Sequence, residues 1–413
     1  MVQSLNRSLL EKVPWSREGC YLNERPSFTL DPLFHAGAYY VQEASSMFLE
    51  QALEQSVDLF ADLKVLDLCA APGGKSTLIQ SLLSAESLLI SNEVIKSRVS
   101  VLSENITKWG AANVVVTNND PRDFKRLGRY FDVIIVDAPC SGSGLFRKDP
   151  EAIREWSENN VELCGQRQQR ILTDVLPCLK EGGVLIYSTC SYSPAEDEEI
   201  LDWLIDSFPL ETLSLKLPEE WKIVESQSPV NKAAGYRFFP DKLRGEGFFI
   251  TVLRDKGTAA AQKRRGTDQV PARISAAELS VVAGYVRDPR ELFFFKQHEA
   301  ILAMPLACAS EINLLRESLY IKKAGIRTGV VIRKEMVPDH ELAMSIVLQD
   351  DLPSIELDQA NALRYLRRET INIDHQARGW ALIRYGSLPL GWIKILANRI
   401  NNYYPQNWRI LNK

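Results

Sequence analysis

Two short turns hold the residues best suited to covalent chemistry. Asp137-Ala138-Pro139-Cys140-Ser141-Gly142 and Ser188-Thr189-Cys190-Ser191 each close an apolar, strand-like run, downstream of a glycine loop, Cys69-Ala70-Ala71-Pro72-Gly73-Gly74-Lys75. Two thiols on one sheet edge beside a nucleotide-type pocket suit covalent methylation of a pyrimidine. Carbon 5 of that ring is a poor nucleophile, but a thiolate adding to carbon 6 converts the ring to an enamine that can attack an electrophilic methyl group. The proton on carbon 5 must then leave and the thiolate be expelled, so one cysteine attacks and a second polar group assists release. An acid near ring nitrogen 3 stabilises charge in the adduct, and Asp137 is the candidate. A free thiol titrates near about 8.5, so the nucleophile needs a helix end or a cation. Lys75, Arg147 and Lys148 are the nearby cations, while Cys69, Cys164, Cys178 and Cys308 read as inert core thiols. Residue chemistry alone leaves the choice between Cys140 and Cys190 open.

These turns need a scaffold, and the flanking pattern specifies one. Strand runs Val65–Leu68, Ser87–Ser91, Val114–Thr117, Val133–Val136 and Val184–Tyr187 alternate with helical patterns after Lys75, over Lys96–Trp109, over Asn159–Leu179 and over Glu196–Ser207. Short continuous apolar runs joined by helices imply strands buried on both faces, hence an α/β fold with a parallel, doubly wound sheet. Gly247–Leu253 reads as the last strand of that sheet. Residues 1–60 mix Pro, Gly and aromatics and end in a helical pattern over Gln42–Leu59; residues 61–255 form the sheet domain. Residues 256–270 are a Lys-, Arg-, Ala- and Gly-rich linker, 271–348 a mixed middle module, and 349–413 a short terminal domain entered through an acidic connector.

In such a sheet ligands bind beyond the carboxyl ends of the strands, where strand order reverses. The glycine loop sits there and opens a helix, so Gly73 and Gly74 admit close backbone approach and the helix N-terminus offers N–H groups to a carboxylate. The loop matches neither the dinucleotide nor the triphosphate glycine pattern. Glu93, about twenty residues on, is placed to accept from two ribose hydroxyls, and Asp120, after the third strand, from an adenine amino group. A nucleoside with a carboxylate tail and no phosphate fits, and S-adenosyl-L-methionine, leaving as S-adenosyl-L-homocysteine, is such a molecule.

Charge divides the chain. Its net charge is −4, yet residues 1–255 carry 26 basic against 37 acidic residues and residues 256–413 carry 23 against 16. The last 54 residues hold 9 basic against 2 acidic, interleaved with Tyr365, Trp380, Tyr385, Trp392, Tyr403, Tyr404 and Trp408. Basic charge with aromatics suits a phosphate backbone and stacked bases. Seven cysteines without a C-x-x-C pair point away from a disulfide framework and from zinc. The absence of a long apolar span or a secretory pattern leads us to expect a cytoplasmic chain with no membrane and no metal.

At these motifs the chain resembles the Sun-type RNA cytosine-5 methyltransferases: Asp67–Lys75, Asp137–Gly144, and Tyr187–Ser191 followed by Glu196-Asp197-Glu198-Glu199. Ala36–Met47, Arg147–Pro150, Pro389–Trp392 and Asn402–Pro405 look like the bacterial RsmF-type branch acting on 16S ribosomal RNA. The likeness thins at the front, where much of that branch's N-terminal RNA-binding subdomain is missing and residues 1–60 read as a remnant. The resemblance implies a class I, Rossmann-like methyltransferase sheet with a C-terminal α+β extension and a PUA-like β-rich domain. It implies Cys190 as nucleophile, Cys140 in resolving the adduct and Asp137 on the base. It also implies that Cys69, Ala70, Ala71, Pro72, Gly73, Gly74, Lys75, Glu93, Asp120 and Asp137 line the cofactor site, and Arg98 is grouped with them. The expected partner is RNA, 16S rRNA or a 30S particle, and not DNA. Transfer RNA as substrate, or a non-catalytic ribosome-assembly factor on this fold, are the alternatives.

Overall fold

A computed structural model describes residues 9–23, 26–258, 274–371, 373 and 378–411; most of the linker expected at 256–270 lies outside them. The centre is a ten-stranded sheet. Its elements are β1 (Lys64–Asp67), α1 (Gly74–Leu82), β2 (Leu88–Asn92), α2 (Lys96–Trp109), β3 (Val114–Thr117), β4 (Phe131–Asp137), α3 (Glu158–Val175), β5 (Leu179–Thr189), α4 (Glu198–Ser207), β6 (Val224–Gln227), β7 (Ala234–Phe238), β8 (Phe248–Asp255) and β9 (Ile321–Ala324). The spatial order is β9-β3-β2-β1-β4-β5-β8-β7-β6, with Leu210–Thr212 paired beside β8.

β1 to β5 are mutually parallel, as their unbroken apolar runs require. β8 and β9 run antiparallel to β5 and β3, so the sheet is mixed at both ends. The chain winds outward through β2 and β3, then returns to place β4 on the other side of β1. The crevice above β1 and β4 is therefore the reversal point where a ligand fits.

Both faces are covered. One carries Ile171, Leu172 and Val175 of α3 and Leu201 and Leu204 of α4, together with Phe293, Leu302, Ile312 and Leu315 from further along the chain. The other carries Ile79 of α1, Val99, Leu102 and Ile106 of α2, and Trp15, Phe48 and Leu49 of the N-terminal segment. A four-stranded antiparallel sheet over residues 292–338 and another four-stranded sheet over 354–402 follow. Trp392 and Leu382 of the second share an apolar cluster with Phe294, Ile301 and Ile326 of the first.

Three readings shift. Gly247–Leu253 is not the sheet's last contribution in sequence, because β9 adds an edge to β3 from some 70 residues further on. The helix expected to reach Leu179 stops at Val175 and tightens into one 3-10 turn, where Pro177 lacks the N–H to continue. Three of the seven terminal aromatics, Tyr365, Trp392 and Tyr404, are at most 1% exposed and serve as core, whereas Tyr403 is 40% exposed.

Candidate active site

The cofactor crevice starts where β1 ends. Gly73 has φ +117°, a conformation that favours glycine, and an added Cβ would come within 3.3 Å of Leu102 Cδ1. It precedes α1, whose first turn receives no side-chain cap, so its N–H groups remain available to an anion. Tyr40 and Gln42 of the N-terminal segment wall the loop, since a Cβ on Gly74 would lie 3.0 Å from Tyr40 Cε1 and 3.7 Å from Gln42 Cδ.

Glu93 follows β2 and is 2% exposed. Its Oε1 accepts from the Ile95 N–H at 2.9 Å, while Oε2 has no hydrogen-bond donor and lies 3.3 Å from the Arg98 guanidinium. Arg98 also donates to the Ala71 carbonyl at 2.5 Å, so it braces the glycine loop against Glu93. Asp67, fully buried, accepts from Ser76 at 2.7 Å through Oδ2 and leaves Oδ1 without a donor. Burial lifts its carboxyl to about 7, against the opposing pull of the Ser76 hydrogen bond. Buried carboxylate oxygens without donors call for a hydroxyl- or amine-bearing ligand, and a ribose with an aminoacyl tail fits these acceptors. Asp120 also has a task in the fold. It caps the 3-10 turn Pro121–Leu127, accepting from the Arg122 N–H at 3.2 Å, and lies 3.6 Å from the Arg170 guanidinium.

The thiols meet at the ends of β4 and β5. Asp137 and Ser188 are neighbours in the parallel register, so the turns that follow them lie side by side. Cys140 Sγ stands 2.8 Å from Cys190 Sγ, and both residues are half-buried. Gly144 allows this approach: its N–H donates to the Cys190 carbonyl at 2.8 Å, and a Cβ there would sit 2.6 Å from that oxygen. The hydrogen bond to Cys190, followed by burial, holds the Cys140 thiol protonated well above its ordinary range. Burial above all, then the charges of Asp137, Asp67 and Glu93, pushes the Cys69 thiol far up as well, which fits an inert group.

Asp137 joins the two halves of the site. Its Oδ2 accepts from Lys75 Nζ at 2.8 Å and its Oδ1 from Ser188 Oγ at 2.8 Å. Burial alone would lower the Lys75 pKa, but Asp137 beside it, with a contribution from charge at Cys190, raises it, so the ammonium persists near the thiols. Arg147 is not such a cation: it is bound to Glu246 at 2.9 Å and to the Gly245 carbonyl at 3.2 Å.

Ser76, Ser188 and Glu196 were missed as individual site residues. Ser188 could have been found from its register opposite Asp137. Glu196 entered only as the first of an acidic run at the start of a helical pattern, and nothing local marks it as buried.

Comparison with known proteins places the chain. The family model described as 16S rRNA methyltransferase RsmB/F matches residues 55–254, the methyltransferase RsmF PUA domain model matches 352–410, and the model for the N-terminal domain of 16S rRNA methyltransferase RsmF matches 1–44. The ribosomal RNA small subunit methyltransferase F of Shewanella woodyi is 30% identical over 416 residues, covering 96% of this chain and 84% of that protein. The chain belongs to the RsmB/F family. The protein of the same description from Pectobacterium atrosepticum is likewise 30% identical, over 96% of this chain and 84% of its own length. A solved methyltransferase homolog protein from Pyrococcus horikoshii, 31% identical, aligns with a TM-score of 0.50 over 62% of this chain and 80% of its own. The Rossmann-like methyltransferase sheet is thus shared with that solved homolog, and the terminal four-stranded sheet falls within the RsmF PUA match. Among the described residues no helix is long and apolar enough to cross a membrane.

Proposed function

We propose that the chain methylates carbon 5 of a cytosine in small-subunit ribosomal RNA through a covalent adduct to Cys190. The observation that carries this reading is the pair of thiols 2.8 Å apart at the ends of adjacent parallel strands, one strand from the glycine loop. The cofactor that these acceptors and the glycine loop fit, S-adenosyl-L-methionine, supplies an electrophilic methyl group when bound. The loop Cys69–Lys75, Glu93 and Asp67 would hold it, with Arg98 as the brace and Asp120 at the adenine end.

The chain's own residues then divide the work. The Cys190 thiolate adds to carbon 6, forming a carbon–sulfur bond and moving electron density to carbon 5. Lys75 keeps positive charge near that sulfur, and Asp137, with its side chain 32% exposed, offers a carboxyl to the edge of the ring. After transfer, the carbon 5 proton passes to solvent water, and the Cys140 thiol, held protonated beside Cys190, donates to the departing sulfur. The carbon–sulfur bond breaks and returns its electron pair to Cys190. The target base must leave its stack to reach this edge, which favours a loop or a partly assembled particle.

The test uses purified protein, methyl-labelled cofactor, and 16S rRNA, 30S particles and transfer RNA as substrates. Cys190→Ala should lose labelled 5-methylcytosine by on the order of 10⁴-fold while still binding cofactor. Cys140→Ala should accumulate a protein–RNA adduct on a denaturing gel. Full turnover by Cys190→Ala overturns the assignment, and label confined to transfer RNA moves the substrate.

A further inference from the structure

We propose that Glu196 is a positioning residue that holds the two cysteine turns in register; this rests on the reading of Cys190 as nucleophile. Glu196 is fully buried. Its Oε1 accepts from the Ser141 N–H at 2.8 Å and from Gln168 Nε2 at 3.4 Å. Its Oε2 accepts from Ser141 Oγ at 2.5 Å and from Ser191 Oγ at 2.6 Å. Ser141 follows Cys140 and Ser191 follows Cys190, so a single carboxylate grips the residue after each thiol. Gln168 of α3 extends the grip by donating to the Pro139 carbonyl at 3.1 Å.

Both oxygens are saturated by protein donors, so Glu196 does not touch substrate and acts through the turns. Its own position is held from three sides. The Tyr187 hydroxyl donates to the Glu196 carbonyl at 2.7 Å, and the next residue, Asp197, accepts from Thr189 Oγ1 at 2.6 Å. Arg237 then pairs with Asp197 at 3.1 Å and with Glu198. A carboxylate suits the place because two hydroxyls donate to one of its atoms. A glutamine could accept both only by giving up its other contacts, so it restores the clamp in part. Two turns from different strands have no covalent tie, and the sulfur–sulfur approach is braced by this clamp, by the Gly144–Cys190 backbone bond and by the Tyr192 N–H, which donates to Ser143 Oγ at 2.8 Å.

The test compares Glu196→Ala and Glu196→Gln with wild type, using full-length protein. Diamide reads the geometry without RNA: the two thiols give up two electrons and two protons, a Cys140–Cys190 disulfide forms, and the diazene is reduced to the hydrazine. Peptide mass mapping follows its rate. Glu196→Ala should slow this cross-link about tenfold or more and lower kcat for methyl transfer about 100-fold. The dissociation constant for S-adenosyl-L-methionine should stay within about twofold, because its holding groups lie on other elements. Glu196→Gln should fall between. Cross-linking at the wild-type rate in Glu196→Ala overturns the proposal. If that variant loses cooperative unfolding, Glu196→Gln decides, and a folded Gln variant with wild-type cross-linking and kcat overturns it equally. Were wild type to methylate no cytosine while Glu196→Ala still cross-linked slowly, the functional reading would fail and the clamp would stand.

Discussion

The catalytic edge and the C-terminal sheet invert what their compositions suggest. Residues 1–255 are counted as acidic, yet around the thiols the acids are inside: Asp67, Glu93, Glu196 and Asp197 are each 2% exposed or less, and Glu198 is 6% exposed. Residues 360–413 are counted as basic and aromatic, yet Tyr365, Trp392 and Tyr404 are core, while Arg367, Arg368 and Arg409 line a surface cleft. The acids of the first region therefore organise a site, and in the second region the arginines, more than the buried rings, are what a nucleic acid could meet. A charge count becomes an argument about partners only after the buried members are removed from it.

The sharpest way to break this contrast is to remove the cation beneath the acids. Arg237 is 8% exposed and answers Asp197 and Glu198, whose carboxyls burial alone would drive up. Arg237→Ala should cost about 3–5 kcal/mol, because a buried acidic pair loses its partner; thermal denaturation measures it. A shift within ordinary surface scatter would show that the cluster is not truly desolvated. A step smaller, Glu93→Ala should weaken S-adenosyl-L-methionine binding about 10- to 100-fold, the value of one hydrogen bond to a charged group, with little change in the affinity for RNA. Calorimetry separates the two.

On the C-terminal side the contrast is tested through pH and salt. His340 has its ring enclosed by Tyr404, Trp408 and Gly391, with no partner at Nδ1, and burial, aided by the Lys108 charge, lowers its pKa to about 3. Above about pH 6.5 the imidazole is neutral in both states and contributes nothing. As pH falls through that value the unfolded chain takes up a proton that the folded chain refuses, so stability should drop by at most about 1.4 kcal/mol per pH unit. His340→Gln should flatten that limb of the stability–pH curve. The smallest effect is expected from Arg367→Gln and Arg409→Gln, each lowering the slope of log affinity for RNA against log salt by about 0.7 to 0.9. Unchanged slopes would send the search for phosphate contacts elsewhere on the chain. Point substitutions serve better than truncation here, because Trp392 and Leu382 pack into the preceding module.

Much of the site was legible because its signals are local. A glycine loop after an apolar run, and two cysteines each closing such a run, are patterns of neighbours in sequence, and the strands they end are buried in β1, β4 and β5 as those runs require. The edge strand β9 was not legible. Its residues, Ile321-Lys322-Lys323-Ala324, form no apolar run, and it is a strand because β3 presents an open edge to it. The burial of the acidic run 196–199 was not legible for the same reason: three of its four members turn inward because Ser141, Thr189 and Arg237 wait there, up to 55 residues away in sequence.

From its sequence alone this chain could be assigned its parallel sheet and the loop and cysteine turns at the carboxyl ends of its strands, because backbone periodicity and turn chemistry act between near neighbours. Only the tertiary structure decided which acids are sealed in, which aromatics are core, that Arg147 belongs to Glu246 while Lys75 belongs to Asp137, and that one carboxylate joins two cysteine turns. Burial and ion pairing depend on what arrives from distant segments, and a linear pattern carries no distance between them.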